Sequence, residues 1–85
     1  MAKYTIVITK SVQKQLSKLP GQVAEILEER MLALEDNPRP PDSKKLKGRE
    51  GYRLREGDYR IIYEIQDTIL TVIVLVAGHR RDIYK

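Results

Sequence analysis

The feature that most constrains the fold is a nearly unbroken run of aliphatic and β-branched residues from Ile69 to Val76. Residues of these types are enriched in strands, so we expect this run to be the central strand of a sheet. The chain has 85 residues and no cysteine, so it cannot add a disulfide framework or a thiolate zinc site to its core. We therefore expect one domain, residues 1–85, held together by packing alone.

The first half of the chain predicts one strand and two helices. Residues 4–8 alternate in a β-branched, period-two pattern that predicts the first strand. Thr9 is placed to cap a short amphipathic helix over about residues 10–19, which Pro20-Gly21 ends. Residues 22–36 keep helical spacing of their apolar positions and predict the longer second helix.

The second half predicts a loop followed by strands. Residues 38–50 are rich in proline and basic residues and have no periodic apolar pattern, so they predict a loop. Residues 52–55 and 59–65 flank the turn signal Glu56-Gly57-Asp58 and predict a hairpin that leads into the aliphatic strand. The fold class is α+β in the order β-α-α-β-β-β, with a small, mainly antiparallel sheet and both helices packed on one face.

The register of this hairpin decides where its arginines lie. With a loop of Glu56-Gly57, Arg53 lies opposite Arg60; with a loop of Gly57-Asp58, Arg55 does. Opposed side chains in an antiparallel pair share a face, so either two-residue loop places all three arginines together. A three-residue loop would move Arg60 to the apolar face.

Basic charge is concentrated in the second half of the chain, although the net charge is only +4. Such clustering is typical of proteins that bind a polyanion, and arginine forks with tyrosine rings suit phosphates and bases. The alternative is a solvated surface whose arginines pair with Glu56, Asp58 and Glu64. Besides the hairpin arginines, the basic candidates for RNA or ribosome binding are Lys44, Lys45, Lys47, Arg49 and Arg81.

Several function classes are disfavoured by the residue inventory. No apolar run approaches the roughly 18–20 residues that span a bilayer, so we expect a cytoplasmic protein without a membrane partner. The acids do not gather as ligands for two metal ions, and a single histidine rules out a paired-histidine ribonuclease. We expect no metal and no cofactor. RNA cleavage remains open because the ribose 2′-hydroxyl can itself be the nucleophile.

The C-terminal stretch Gly78-His79-Arg80-Arg81-Asp82-Ile83-Tyr84 carries a second group of candidates. The imidazole of His79 is a candidate for proton transfer, but a lone histidine after a glycine is more often a packed turn residue. Tyr84 could stack on a base, or it could simply dock the C-terminus. An antiparallel meander could bring Arg80 close to Arg53 and Arg60.

In their order along the chain, these motifs resemble the RelE toxins of the RelE/ParE toxin–antitoxin superfamily. The motifs are Tyr52-Arg53-Leu54-Arg55, Gly57-Asp58-Tyr59-Arg60-Ile61-Ile62-Tyr63, the aliphatic strand, and Gly78-His79-Arg80 with Ile83-Tyr84. The resemblance covers nearly the whole chain. It implies a microbial-RNase-like fold and the toxin of a type II pair that cuts mRNA in the ribosomal A site, leaving a cyclic phosphate and inhibiting translation.

The resemblance also implies roles for individual residues. Arg60 and Arg80 match the arginines that hold the scissile phosphate, with Arg80 placed to protonate the leaving oxygen, and Tyr84 matches the tyrosine that stacks on the base. Arg55 matches a further basic residue of that surface. Arg53 stands where a lysine has been proposed as the general base, and an arginine is a poor proton acceptor, so the base is open among Arg53, His79 and Tyr84. A basic residue of the family pattern is replaced by Gly51.

The implied partners are a cognate antitoxin, in a complex that can be a heterotetramer, and the 70S ribosome with mRNA. Two other hypotheses compete with a ribosome-dependent endonuclease. One is a non-enzymatic, ParE-like toxin that inhibits DNA gyrase through protein contacts. The other is an RNA-binding module without catalysis, for which the basic loop would suffice and Tyr84 would be dispensable.

Overall fold

The computed structural model describes residues 3–48 and 50–79. Over these residues the chain forms two helices and one five-stranded sheet. The helices are α1 (Lys10–Ser17) and α2 (Gly21–Ala33), and the strands are β1 (Thr5–Ile8), β2 (Lys44–Lys45), β3 (Tyr52–Glu56), β4 (Tyr59–Gln66) and β5 (Thr71–His79).

The sheet has the strand order β1-β5-β4-β3-β2. β1 pairs with β5 in parallel, while β5, β4, β3 and β2 form antiparallel pairs. The long β1-to-β5 connection carries both helices, as a parallel pairing requires. The predicted α+β class and element order are confirmed.

Both helices place their apolar side chains on one face of the sheet. Thr9 caps α1 by accepting a hydrogen bond from the Val12 backbone N–H at 3.3 Å, as predicted. The core consists of fully buried or nearly fully buried side chains from α1, α2 and the sheet. They are Val12, Leu16, Leu27, Met31, Leu34, Leu54, Ile61, Tyr63, Val72, Val74 and Ala77.

A β-bulge adjusts the register between β4 and β5. Ile62 pairs with Val76 and Tyr63 pairs with Val74, so Leu75 is the extra residue of β5. Val74 and Ala77 are three positions apart, and in a regular strand they would point to opposite faces. The bulge allows both side chains to face the core. The side chain of Gln15 accepts a hydrogen bond from the Ala77 backbone N–H at 2.9 Å and ties α1 to this part of β5.

The structure differs from the sequence prediction in two places. Residues 38–50 are not wholly a loop, because Lys44–Lys45 form β2 against the edge of β3. With β2 added, the middle strand is β4, and the aliphatic strand β5 lies between β1 and β4. In addition, residues 67–69 form a 3₁₀ turn, so Ile69 precedes β5 instead of starting it.

In the described part of the chain, no helix is long and apolar enough to cross a membrane.

Candidate nucleic-acid interface

The hairpin of β3 and β4 places three arginines on the face of the sheet that lies away from the helices. Arg55 is the register partner of Arg60, and Arg53 is the partner of Ile62. The connecting loop is therefore Gly57-Asp58, and the predicted sharing of a face is confirmed. Gly57 has a φ of 61°, as the first position of a type II′ turn requires. We call the surface of Arg53, Arg55 and Arg60 the arginine face.

The three arginines differ in how deeply they are buried. Arg60 has only 7% of its surface exposed. Among the described residues it is the charged residue that is buried. Arg53 is half-buried and Arg55 is exposed. The arginine face therefore offers one guanidinium largely withdrawn from water beside one that solvent reaches freely. A charge with little access to water interacts more strongly with an anion than an exposed one does.

Strand β2 extends the arginine face with Lys44. Lys44 is the register partner of Arg53, so two cations stand side by side across the strand pair. A cleft with a volume of about 440 Å³ opens next to them. We call it the lysine cleft, and its lining residues are Lys44, Lys45, Leu46, Lys47 and Arg53.

A glycine closes the segment that carries these lysines. The Leu46 backbone N–H donates to the Gly51 carbonyl at 3.0 Å, and Gly51 has a φ of 126°. A Cβ at this position would lie 3.2 Å from Leu46 Cδ1 and 3.3 Å from the Tyr63 carbonyl oxygen. Backbone conformation and close packing therefore both favour glycine here, in place of the basic residue that the family resemblance would put at this position.

The acids offered as partners for the arginines in the solvated-surface alternative are distributed unevenly. Glu56 is the register partner of Tyr59 and forms an ion pair with Arg30 of α2, at 3.5 Å from Nε. The Glu56 carboxylate therefore lies on the helix side of the sheet. Asp58 lies in the exposed hairpin turn. Glu64 is four positions after Arg60 on β4, so its side chain points to the same face of the sheet. Of these three acids, Glu64 is therefore the one that β4 places on the arginine face.

His79 lies on the other side of the sheet from the arginine face. It is the register partner of Tyr59, while Arg60 is the partner of Gly78. The His79 ring meets the Tyr59 ring edge-on, with 5.5 Å between centroids and 84° between planes. This contact agrees with the packed reading of the histidine.

The remaining predicted site residues lie outside the described part of the chain. They are Arg49, Arg80, Arg81 and Tyr84.

Sequence reasoning missed a polar cluster at the opposite end of β3 from the hairpin turn. The Arg39 guanidinium donates to both carboxylate oxygens of Asp67, at 3.3 and 2.9 Å, and its Nε donates to the Tyr52 hydroxyl at 3.2 Å. The Arg39 guanidinium carbon also lies 5.4 Å from the Tyr52 ring centroid. The Tyr4 hydroxyl donates to Asp67 at 2.7 Å. We call these four residues the Arg39 clasp.

The clasp changes the acidity of its members. Hydrogen bonds from Arg39, and then from Tyr4, lower the pKa of the Asp67 carboxyl. The hydrogen bond from Tyr4 to Asp67 raises the pKa of the Tyr4 hydroxyl. The hydrogen bonds from Arg39 to Asp67 are the main cause of a raised pKa at Arg39. The clasp is therefore a charge-assisted pair with a fixed, two-point geometry.

A buried tyrosine fixes the start of the lysine-bearing segment. The Tyr63 hydroxyl donates to the Pro38 carbonyl at 2.8 Å, and its ring stacks on Tyr52 with 5.9 Å between centroids. Burial raises the pKa of the Tyr63 hydroxyl to about 12. The clasp and this hydrogen bond hold two neighbouring residues of one segment, Pro38 and Arg39.

The arrangement suits recognition of a phosphate backbone. Arginine forks and the Lys44 ammonium group lie on neighbouring strands, and both groups bind phosphate oxygens. Among residues 3–48 and 50–79, no three His, Asp or Glu side chains gather so that they could hold a metal ion.

Known proteins resemble this chain in sequence and in fold. A family model described as the ParE toxin of the type II toxin-antitoxin system parDE matches residues 6–84. Toxin RelG of Mycobacterium tuberculosis (strain ATCC 25618 / H37Rv) is 34% identical over 86 residues, which cover 96% of this chain and 97% of RelG.

Two solved structures extend the likeness to the fold. A chain of the toxin-antitoxin complex RelBE2 of Mycobacterium tuberculosis superposes with a TM-score of 0.82 and 29% identity, covering 93% of this chain and 100% of that one. A chain of the archaeal RelE–RelB complex of Pyrococcus horikoshii OT3 gives a TM-score of 0.81 and 33% identity, covering 92% and 96%.

The family model and the similarity to toxin RelG identify the chain as a small toxin of the type II toxin–antitoxin class. The chain belongs to the RelE/ParE superfamily and is of the RelE type within it.

Proposed function

We propose that the protein is a ribosome-dependent mRNA endonuclease that cuts in the A site and so inhibits translation. The observation that carries the proposal is the arginine face, where buried Arg60 stands beside Arg53 and Arg55 and continues into the lysine cleft. Like charges on neighbouring strands repel, and an RNA phosphate placed against this grouping would relieve that repulsion.

The proposed reaction uses the RNA as its own nucleophile. The ribose 2′-oxygen attacks the adjacent phosphorus, the bond to the 5′-oxygen of the next nucleotide breaks, and a 2′,3′-cyclic phosphate forms. Arg60 and Arg80 stabilise the extra negative charge on the phosphate oxygens. A general base removes the 2′-hydroxyl proton, and Arg80 supplies a proton to the leaving 5′-oxygen.

Two further groups complete the proposed site. Tyr84 stacks on the substrate base and orients the 2′-hydroxyl for attack. Arg55, Lys44, Lys45 and Lys47 hold the RNA backbone, together with Arg49 and Arg81. Because His79 packs on Tyr59 on the far side of the sheet, the proposal assigns the base to Arg53 or Tyr84.

An antitoxin protein is the proposed physiological partner. The relatives from Mycobacterium tuberculosis and Pyrococcus horikoshii were solved as RelB–RelE toxin–antitoxin complexes, which supports an equivalent partner here. The basic surface suits an acidic partner segment. Co-purification of this chain with the product of the adjacent gene tests the assignment, and a monodisperse chain that does not bind that product contradicts it.

The test of the reaction is cleavage of mRNA on programmed ribosomes by purified protein, followed by mapping of RNA 5′ ends. Arg60→Ala and Arg80→Ala should each lower the single-turnover rate by about 100-fold or more, the effect of removing one transition-state donor. Lys18→Ala, an exposed lysine at the end of α1, removes the same charge away from the arginine face and should leave the rate unchanged.

Since Arg60 is buried, Arg60→Lys is included to separate catalysis from folding. It keeps the charge but loses the planar fork, and it should fold normally while cutting slowly. Equal activity of the Arg60 and Arg80 variants and the wild type would contradict the proposed site.

A gyrase-inhibiting toxin is the second candidate because the matching family model is described as ParE. A supercoiling assay distinguishes the two. Inhibition of gyrase by the purified protein, with translation untouched, would favour this candidate over RNA cleavage.

A further inference from the structure

The Arg39 clasp and the lysine cleft meet at the start of β3. Tyr52, whose hydroxyl and ring contact Arg39, is the register partner of Lys45 and the chain neighbour of Arg53. Opposed residues of an antiparallel pair share a face, so Lys45 lies on the Tyr52 side of the sheet and Lys44 lies on the Arg53 side. Because Arg39 precedes Lys44 by five residues, a contact that fixes Arg39 restrains the segment that leads to both lysines.

Strand β2 is weakly determined by its own residues. It has two residues, both lysines and both exposed, and its register sets Lys44 against Arg53. Two like charges directly opposite each other destabilise a strand pair. The position of β2 therefore depends on contacts made by the rest of its segment.

Those contacts anchor both ends of the segment. Upstream, Tyr63 binds the Pro38 carbonyl, Arg39 binds Asp67, and Asp42 forms an ion pair with Arg30 of α2. Downstream, Leu46 is hydrogen-bonded to Gly51. The Arg39–Asp67 contact is the one that fixes an orientation, because a bidentate pair sets the plane of the guanidinium.

Asp67 is itself held in place. It begins the 3₁₀ turn between β4 and β5, and its carboxylate also accepts the hydrogen bond from Tyr4 at the start of the sheet. The Arg39 guanidinium thus donates to a carboxylate whose orientation is also fixed by the hydrogen bond from Tyr4.

We propose that Asp67 and Arg39 are positioning residues that hold Lys44 and the lysine cleft beside Arg53, and so preorganise the polyanion-binding surface. Neither residue touches the RNA in this account. The inference rests on the proposed function for the identity of the polyanion, but the ordering of the lysine segment can be measured without it.

The proposal predicts an effect whose sign is opposite to that of simple electrostatics. Asp67→Asn raises the net charge by one and would tighten polyanion binding if charge alone mattered. Loss of positioning weakens binding instead. Glu25→Gln is the matched control because it makes the same change in charge on the exposed side of α2.

The experiment measures the full-length protein in two ways. Hydrogen exchange reports the protection of the Lys44 and Leu46 amides, which alternate along the ladder with β3, and fluorescence anisotropy reports the affinity for a labelled single-stranded RNA. In Asp67→Asn we expect these amides to exchange faster and RNA binding to weaken by about threefold, as for the loss of an exposed ion pair. Arg39→Lys, which keeps the charge but not the fork, should behave alike.

Unchanged protection in Asp67→Asn, or RNA binding as tight as that of Glu25→Gln, would overturn the proposal. A thermal unfolding midpoint close to that of the wild type excludes a general loss of structure as the cause. Cleavage of ribosome-bound mRNA is not a readout here, so failure of the proposed reaction and failure of the positioning role give separate results.

Discussion

The two faces of the sheet contribute to the stability of the fold with opposite signs. The helix-covered face buries Leu54, Ile61 and Tyr63 against α1 and α2, and each of these side chains gains stability by leaving water. The other face of the same two strands sets Arg55 opposite Arg60, which costs stability. Alternate residues of one hairpin thus point either to a packed apolar face or to a face of closely spaced like charges. Under the proposed function, the apolar face supplies the stability and the arginine face binds RNA.

The largest expected effect comes from breaking the apolar face. Leu27 is fully buried, so Leu27→Ala should lower the free energy of unfolding by about 2–5 kcal/mol through lost burial and a residual cavity. Denaturant unfolding with a constant m-value measures this loss. A change near zero would mean that the helix-covered face does not supply the stability assigned to it.

The buried hydroxyl of Tyr63 should have the next largest effect on the free energy of unfolding, and this effect depends on pH. Its folded pKa of about 12 lies above the value near 10 expected for an unfolded tyrosine, so the folded state favours the neutral phenol. Its contribution to stability is complete below pH 10 and is lost as the pH rises through 12.

Unfolding midpoints at pH 9 and pH 11 measure this effect. The wild type should lose stability between the two, by on the order of 1 kcal/mol, and Tyr63→Phe should lose less. At pH 9 Tyr63→Phe should already be less stable by about 1–2 kcal/mol, because the Pro38 carbonyl loses its donor. Identical pH curves for both proteins would contradict the role of this hydroxyl.

Removing an arginine should affect binding much more than folding. Arg55→Gln takes away one of two opposed cations, so the free energy of unfolding should stay within about 0.5 kcal/mol of the wild type or rise. RNA affinity should fall, and the slope of log K against log salt should decrease by about 1. Lys18→Ala is the control. A marked loss of stability in Arg55→Gln would show that the two faces are not separable.

The smallest expected effect concerns the clasp at low pH. The pKa of Asp67 is lowered in the folded state, so its contribution to stability is present above the unfolded value near 4 and is lost as the pH falls through the folded value. The midpoint of Asp67→Asn should therefore lie slightly below that of the wild type at pH 7, and the difference should shrink as the pH is lowered below about 4. A constant difference would mean that the Asp67 charge does not matter.

Local patterns in the sequence predicted most of the fold. Alternation identified β1, helical spacing identified α1 and α2, and the glycine turn predicted a hairpin in which either two-residue loop gathers the arginines. Strand β2 was missed because two lysines in a proline-rich segment carry no apolar period. The positioning proposal attributes their pairing with β3 to contacts made elsewhere in the segment.

Features that depend on distant pairs could not be predicted. Arg39 and Asp67 are separated in sequence by the three strands β2, β3 and β4, and no local pattern around either residue indicates that they pair. The face taken by His79 depends on the β4–β5 register, which follows from a 3₁₀ turn and a bulge at Leu75. Arg60 was predicted as a site residue, but its burial required the packed structure.

The central claim is that the arginine face acts on ribosome-bound mRNA. Its most direct test is to induce the wild type and Arg60→Lys in cells and to map RNA 5′ ends across all transcripts. The account predicts new ends in phase with codons for the wild type, and their loss in a variant that is folded and equally abundant. Absence of phased ends in the wild type, or their persistence in the variant, would contradict it.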